Sequence, residues 1–548
     1  MTTRFDENRD SQTRAEIYKA MSRPDFYPHA VDAIEQRDTV ISKAFLAGDY
    51  TYKIKKPVDL EYLDFTTLAK RKHFCDQEVV LNRRLAPGIY LAVVPIIFKN
   101  GYYHLAGSGN PVEYAVKMRR LPENLSMRSL MRRGNLCRDS IDALARKLAD
   151  FYKKGAAGKK IGTPGSWQTV WTNAEENFRQ AEPFVGEIID TRKFQIIRAA
   201  SRAFLIRRKA LFDRRVETQI IRDCHGGLRT GHIYFSDGIH IIDCIEFNDR
   251  FRYSDITADL AFLATDIDFE GHPQIARDLL KAYVHYTKDR DLYILLDYYK
   301  CYRAFVRVKV NCFRLRENNP KVRETSRIHR KIHRYLDLSY QYAVQFTRPT
   351  IWVVCGLPAS GKSAIAGELA AIGNVRVLRS DVVRKELFGL PPTQPVDESF
   401  GGGIYSKAFS NLTYARLLML AQEEIESGRS IILDATYARQ HQRDGVLCLA
   451  KDMDANILFI ECVAPYQTLR KRLAERETAD SISDGRLIHL THFRKRFEPL
   501  TDIRDELRIR VDTNMSLDES MRQVLSHDHF SASQQIAELM VRRLSEVV

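Results

Sequence analysis

Eight consecutive residues, Gly356-Leu357-Pro358-Ala359-Ser360-Gly361-Lys362-Ser363, place glycines, a lysine and a hydroxyl at the spacing that wraps a phosphate group. Glycine tolerates backbone conformations that turn successive N–H groups inward around an anion. Lys362 is long enough to reach the β- and γ-phosphates of a nucleotide, and the Ser363 hydroxyl can hold Mg²⁺. An apolar run precedes the loop (351–355) and a helix-like run follows it (364–371), so the helix presents its positive end to the same anion. ATP and Mg²⁺ are the expected ligands, bound through Gly356 to Ser363.

Further groups after this loop suit phosphoryl transfer. The run 375–378 reads as a strand that ends at Arg379-Ser380-Asp381-Val382-Val383-Arg384. An aspartate at a strand end beside a phosphate loop can take the proton of a substrate hydroxyl. Arg384, one helical turn on, can orient a polar or anionic substrate. The competing reading makes Ser380 a helix N-cap and Asp381 a first-turn acid. Ser430-Ile431-Ile432-Leu433-Asp434 is an apolar strand ending in an acid, a Walker B-like element whose Asp434 positions Mg²⁺. Arg470 and Arg472, in the basic helix 469–476, can stabilise charge on a transferring phosphoryl group; a solvated helix face is the alternative. The loop 388–405, with Pro391, Pro392, Pro395 and Gly401-Gly402-Gly403, reads as a cover over substrate, or as a plain long connection.

These groups need a scaffold. A chain of 548 residues exceeds one ordinary core, so two or more domains are expected. Apolar content of 44% and charged content of 28% read as globular, and no apolar run reaches membrane-spanning length. The polar first 14 residues are not a secretory signal, and nine scattered cysteines without a C-x-x-C pair indicate neither zinc nor a disulfide framework; a cytoplasmic location fits. A net charge of +15 points to anionic partners. Basic residues cluster over 303–334 at helical spacing among Tyr, Phe, Ile and Leu, a pattern that suits an amphipathic helix as well as a binding face.

The first half of the chain carries a second set. After a turn at 24–28 and a helix at 30–37, a hairpin turns at Gly48-Asp49 into Tyr52-Lys53-Ile54-Lys55-Lys56-Pro57. A helix over 67–85 carries Glu78. A strand lysine (Lys53 or Lys55) followed by a helix glutamate is how kinase-like folds hold ATP phosphates; a surface ion pair is the bland alternative. Strands at 91–98, 102–106 and 112–118 lead to Leu121-Pro122, the expected hinge between two lobes. Further on, a hairpin ends on Asp243, a geometry that lets one carboxylate face a metal-bridged nucleotide.

Together Tyr52 to Pro57, residues 65–71, 78–90, 225–235 and 243–253 resemble the aminoglycoside-phosphotransferase-like kinases. The closest resemblance is to large bacterial proteins that fuse such a domain to a P-loop ATP-binding domain. The resemblance implies a His-Gly-Asp-Leu motif whose aspartate accepts the acceptor proton; this chain has His225-Gly226-Gly227-Leu228, and glycine is no base. It places His232 where the family often has a metal-binding Asn. The N-terminal domain is therefore expected to keep the fold and nucleotide binding with weak or no transfer, unless Asp249 or another carboxylate substitutes. Residues 350–513 resemble small P-loop kinases (polynucleotide 5′-kinases, zeta-toxin-like and gluconate-type enzymes), which implies Asp381 as base and an arginine-bearing lid.

The expected architecture is α/β: a two-lobed kinase-like α+β domain at 1–345 with a helix-rich end (273–346), then a P-loop domain at 346–548 with a doubly wound parallel sheet. The expected activity is ATP-dependent transfer to a hydroxyl on a small molecule or nucleic acid. The rivals are an ATPase switch controlled by the N-terminal domain and a basic nucleic-acid-binding scaffold.

Overall fold

The structure is a computed structural model that describes residues 13–60, 62–317, 322–394, 396, 401–476 and 486–545. Part of the expected cover loop (Pro395 and 397–400), the segment 477–485 after the basic helix, residues 1–12 and the last three residues lie outside the described residues. The chain forms two compact units, residues 1–287 with 298–340, and residues 288–297 with 341–548.

The first unit opens with an antiparallel six-stranded sheet: β1 (Ile34–Asp38), β2 (Ser42–Ala47), β3 (Tyr50–Lys55), β4 (Tyr90–Lys99), β5 (Tyr102–Leu105) and β6 (Pro111–Arg119), in the order β1-β2-β3-β6-β4-β5. Strand alternation sorts β3 into two faces. Tyr52 and Ile54 join Phe45, Ile96 and Ala115 in a core, while Lys53 and Lys55 point the other way, toward helix Leu68–Asn82. Thr67 starts that helix by accepting a bond from Lys70 N. Cys75 and Val79 seat the helix on Tyr90, Val116 and Met118. The helix expected at 30–37 is not there: Ile34–Asp38 pairs with Lys43–Ala47 from Ile34↔Ala47 to Asp38↔Lys43. The backbone of so short a segment gains more from a hairpin ladder that continues into the sheet than from an isolated helix of about two turns.

A mainly helical region follows. It includes Met127–Arg132, Arg138–Lys154 and Thr191–Glu217, the short pairs β7 (Ile221–Asp223) with β10 (Tyr253–Asp255) and β8 (Ile233–Phe235) with β9 (Ile239–Ile241), and helices Ile256–Glu270, Pro273–Thr287, Leu292–Glu317 and Val322–Thr347. Asp243 lies two residues past the hairpin strand rather than at its end, at φ +65°.

In the second unit β11 (Thr350–Cys355), β12 (Arg376–Arg379), β13 (Ile431–Asp434), β14 (Asn456–Val463) and β15 (Arg508–Asp512) form an all-parallel sheet in the order β12-β13-β11-β14-β15. Helices Lys362–Gly373 and Leu517–Ser545 cover one face; Lys407–Glu426 and Gln440–Asp452 cover the other. That is the expected doubly wound fold, and it explains why β11, β13 and β14 read as continuous apolar runs. The order reverses beside β11, so the crevice for a ligand opens at the C-terminal ends of the strands, where the phosphate loop lies. The closing helix starts at Leu517 rather than at 531, because residues 517–530 also pack on the sheet: Met521, Val524 and Leu525 are buried.

Trp352 is the half-exposed position of β11, and its Nε1 donates to Asp528 Oδ1 at 2.8 Å. Burial pushes the Asp528 carboxyl up to about 6, against the opposing pull of the Trp352 N–H. The folded state therefore holds this proton more tightly than the unfolded chain, whose carboxyl titrates near 3.8. The stability it contributes is full below about pH 4 and is lost as pH rises through about 6. Asp528→Asn keeps an acceptor for Trp352 and should remove that loss. Its unfolding midpoint at pH 7.5 should sit a few degrees above that of the unmodified chain, and the gap should close by pH 4 in differential scanning calorimetry.

Candidate phosphate-binding site and the N-terminal cleft

The loop after β11 is shaped from outside. Gly356 has φ +133°, and a Cβ there would sit 2.4 Å from the Cys462 carbonyl oxygen at the end of the neighbouring strand. Gly361, at φ +86°, packs against Thr513, where a Cβ would come within 2.9 Å. Thr513 follows β15 and donates its hydroxyl to Ser360 O at 2.8 Å. Arg472 donates to Thr513 O at 2.8 Å, Thr513 Oγ1 at 3.1 Å and Ala359 O at 3.3 Å. Among the described residues the N–H groups of Gly361, Lys362 and Ser363 meet no backbone carbonyl, and the buried Ser360 Oγ has no hydrogen-bond partner. These are the donors that a phosphate would take.

Lys362 Nζ rests on Leu357 O at 2.8 Å, across the mouth of the loop. Ser363 Oγ donates to Asp434 Oδ2 at 2.8 Å. A hydroxyl and a carboxylate oxygen side by side are the hard-oxygen donors that Mg²⁺ takes, so this pair fits the ion. Register explains the meeting: Val354 of β11 and Arg379 of β12 both pair with Asp434, so the ends of three strands lie level. Arg379 Nε is 3.8 Å from Asp434 Oδ2, a neighbour not expected from the sequence although it directly precedes Ser380-Asp381.

Asp381 sits in the first turn of helix Ser380–Leu387. The cap position is Arg379 and carries no side-chain cap bond, so Ser380 is not the N-cap. Tyr414 lies in the field of both Arg384 and Asp381, and its hydroxyl bonds Thr436 Oγ1 at 3.0 Å and Tyr437 N at 3.2 Å. Arg384 is buried; it donates to Ile404 O at 2.9 Å and stacks on Tyr405, so it anchors the C-terminal end of the 388–405 loop. Arg470 is exposed, whereas Arg472 is spent on the loop and Thr513.

In the first unit the two lysines of β3 share one carboxylate. Lys53 Nζ donates to Glu78 Oε1 at 2.9 Å and Asp243 Oδ1 at 2.6 Å; Lys55 Nζ donates to Glu78 Oε2 at 2.7 Å and also to Glu246. Glu246 was not expected from the sequence. Burial alone would raise the Asp243 carboxyl, but Lys53 and His232 outweigh it and hold Asp243 well below the usual range. His232 Nδ1 lies 3.1 Å from Gly227 O, and Nε2 lies 3.5 Å from Asp243 Oδ2; burial pushes the ring down to about 4, so it is neutral at pH 7. An imidazole and one lysine-bonded carboxylate are a poor donor set for Mg²⁺. Among the described residues no group of three His, Cys, Asp or Glu side chains is placed to hold a metal. Gly226 N and His225 N both donate to Asp259, so the turn that carries Gly227 is fixed by a buried carboxylate.

The Thr513 and Arg472 contacts predict that the loop loses its shape before the fold does. Thr513→Val removes the hydroxyl's bonds to Ser360 O and Arg472 and keeps both the Arg472 bond to the residue 513 carbonyl and the packing against Gly361. Nucleotide affinity should fall about tenfold with little change in unfolding midpoint, read by calorimetric titration.

The AAA domain family matches residues 351–500. The chain is 30% identical over 450 residues to an uncharacterized protein of Mycobacterium tuberculosis, covering 82% of this chain and 87% of that protein. Among solved structures it is similar to a choline/ethanolamine kinase family protein from Mesorhizobium loti (13% identity, TM-score 0.36, 59% of this chain and 99% of that one). It is also similar to a putative kinase from Chloroflexus aurantiacus (21% identity, TM-score 0.27, 33% and 98%). No helix of the described residues is long and apolar enough to cross a membrane. The chain belongs to the family of the mycobacterial protein, and its residues 351–500 match the AAA domain model.

Proposed function

We propose that the second unit, taken as a domain from residue 346, is an ATP-dependent phosphotransferase acting on a hydroxyl acceptor, a small molecule or a polynucleotide 5′ end. The N-terminal domain then binds a ligand or nucleotide without transferring phosphate. The observation that carries this reading is the Ser363–Asp434 oxygen pair, 2.8 Å apart, at the level of the strand ends, with Asp381 in the first turn of the helix that follows β12. Loop N–H groups and Lys362 neutralise phosphate charge, and Ser363 with Asp434 hold Mg²⁺, which supplies further charge neutralisation when bound. Asp381 accepts the acceptor hydroxyl proton as the acceptor oxygen bonds to phosphorus and the bond to ADP breaks. Positioning and electrostatics supply most of the rate. Lys53 and Lys55, held by Glu78, are the phosphate-facing cations of the N-terminal cleft. Cytoplasmic operation fits a substrate that is ATP.

A second reading, ATP hydrolysis used as a switch, is favoured by the arginines: Arg384 and Arg472 are both bonded to backbone carbonyls in this structure. The two readings part on product. With labelled ATP, Mg²⁺ and panels of sugars, nucleotide sugars, aminoglycosides and 5′-hydroxyl oligonucleotides, transfer predicts a labelled acceptor. Asp381→Asn should cut that transfer by 10²–10⁴-fold, the usual worth of a general base, while ATP affinity stays within about twofold. Labelled inorganic phosphate alone would favour the switch, and undiminished transfer by Asp381→Asn would remove Asp381 from the role of base.

A further inference from the structure

The N-terminal cleft contains a cavity of about 170 Å³ whose wall includes Gly227, His232, Arg229 and Arg307. Its two wall carboxylates are already neutralised: Asp243 bonds Lys53, and Glu246 bonds Lys55. The two arginines are not matched in the same way. Arg229 meets Asp266 at 3.5 Å, but that carboxylate is shared with Arg128 at 3.3 Å. Arg307 has no carboxylate within ion-pair distance among the described residues; it lies over the Tyr335 ring at 5.7 Å and hydrogen-bonds that side chain. The Nε atoms of both arginines are buried without a hydrogen-bond partner among the described residues. A buried Nε–H with nothing to donate to is costly, and an anion in the cavity would relieve it.

The surplus of positive charge is felt beyond the wall. Burial, and then Arg327, Arg314, Arg307 and Arg229, push the Lys331 ammonium down to about 8. These residues, apart from Arg229, fall in the basic 303–334 stretch that the sequence left between a helix face and a binding face. Helix Leu292–Glu317 brings Arg307 of it to the cavity wall.

Gly227 lies on the same wall. A Cβ on this residue would meet Asp243 O and Ile245 Cγ1 at 3.7 Å, ordinary contact distances, so packing does not demand glycine. A carboxylate there would stand on the same wall as Arg229 and Arg307 and compete for them. Its absence leaves the Nε–H groups of both arginines without that competitor.

We propose that this cavity is a receptor site for the phosphate group of a small phosphorylated molecule, gripped by Arg229 and Arg307. The proposal deepens the reading of the N-terminal unit as a binding domain and names its ligand class. The volume admits a phosphate and a few attached atoms, below the roughly 300 Å³ at which drug-sized ligand pockets begin. Arginine suits the task because its planar fork meets phosphate oxygens in pairs.

The test uses the full chain carrying Lys362→Ala, which weakens the P-loop as a competing site, with inorganic phosphate as probe in calorimetric titration. Because the readout is binding, it does not depend on whether the second unit transfers phosphate. Phosphate should bind, and Arg307→Gln and Arg229→Gln should each weaken it about tenfold or more. Gly227→Asp should weaken it similarly, while Gly227→Asn, of equal size and no charge, should not; this pair separates charge from misfolding. No binding in the Lys362→Ala chain, equal binding after Arg307→Gln, or equal effects of Gly227→Asp and Gly227→Asn would each overturn the proposal.

Discussion

A loop can receive a phosphate only if donors such as the N–H groups of Gly361, Lys362 and Ser363 are kept from backbone carbonyls, and a free loop of eight residues would not stay in that state. Everything in the second unit serves this constraint. The Cys462 carbonyl closes against Gly356, Thr513 holds Ser360 O, and Arg472 ties Thr513 to Ala359 O. These contacts come from strands on the β14 and β15 side, while Asp434 comes from the β13 side. The parallel sheet is therefore the device that brings a buttress and a metal-binding oxygen to opposite flanks of one loop. The free-energy cost of holding the loop open is met in the packed core beneath it, where Ile351, Val353, Leu433 and Phe459 are fully buried.

The first unit shows the opposite use of charge. Glu78 is completely buried and bonds two lysines, and both lysines bond a second acid. Such a network is satisfied as it stands, and removing Glu78 would leave each ammonium group with one acid in place of two. Asp243 is engaged by Lys53, and the position beside it that could hold a base is Gly227. On the proposed reading the cleft keeps cations that attract phosphate without a base at residue 227, and that is the division of labour proposed for the two units.

The sequence was most informative where function is local. Gly356 to Ser363 and the acid at the end of 430–434 could be read from spacing, and the structure joins Ser363 to Asp434. Contacts across long separations could not be read. Thr513 reaches Ser360 over 153 positions, and Glu246 reaches Lys55 over 191, because sheet order and lobe packing bring them together and neither leaves a local pattern. Residues 30–37 illustrate the same limit: local preference suggested a helix, and pairing with β2 decided for a strand. Arg472 was visible as a cation but not as a buttress, since its partners are carbonyls that carry no sequence signature.

The central claim is that the P-loop, and not the N-terminal cleft, is where ATP is turned over. The most direct measurement is steady-state ATP turnover by the full chain carrying Lys362→Ala, set beside the chain carrying Asp243→Ala. The account predicts that Lys362→Ala removes turnover and that Asp243→Ala retains it. Turnover that survives Lys362→Ala and disappears with Asp243→Ala would contradict it.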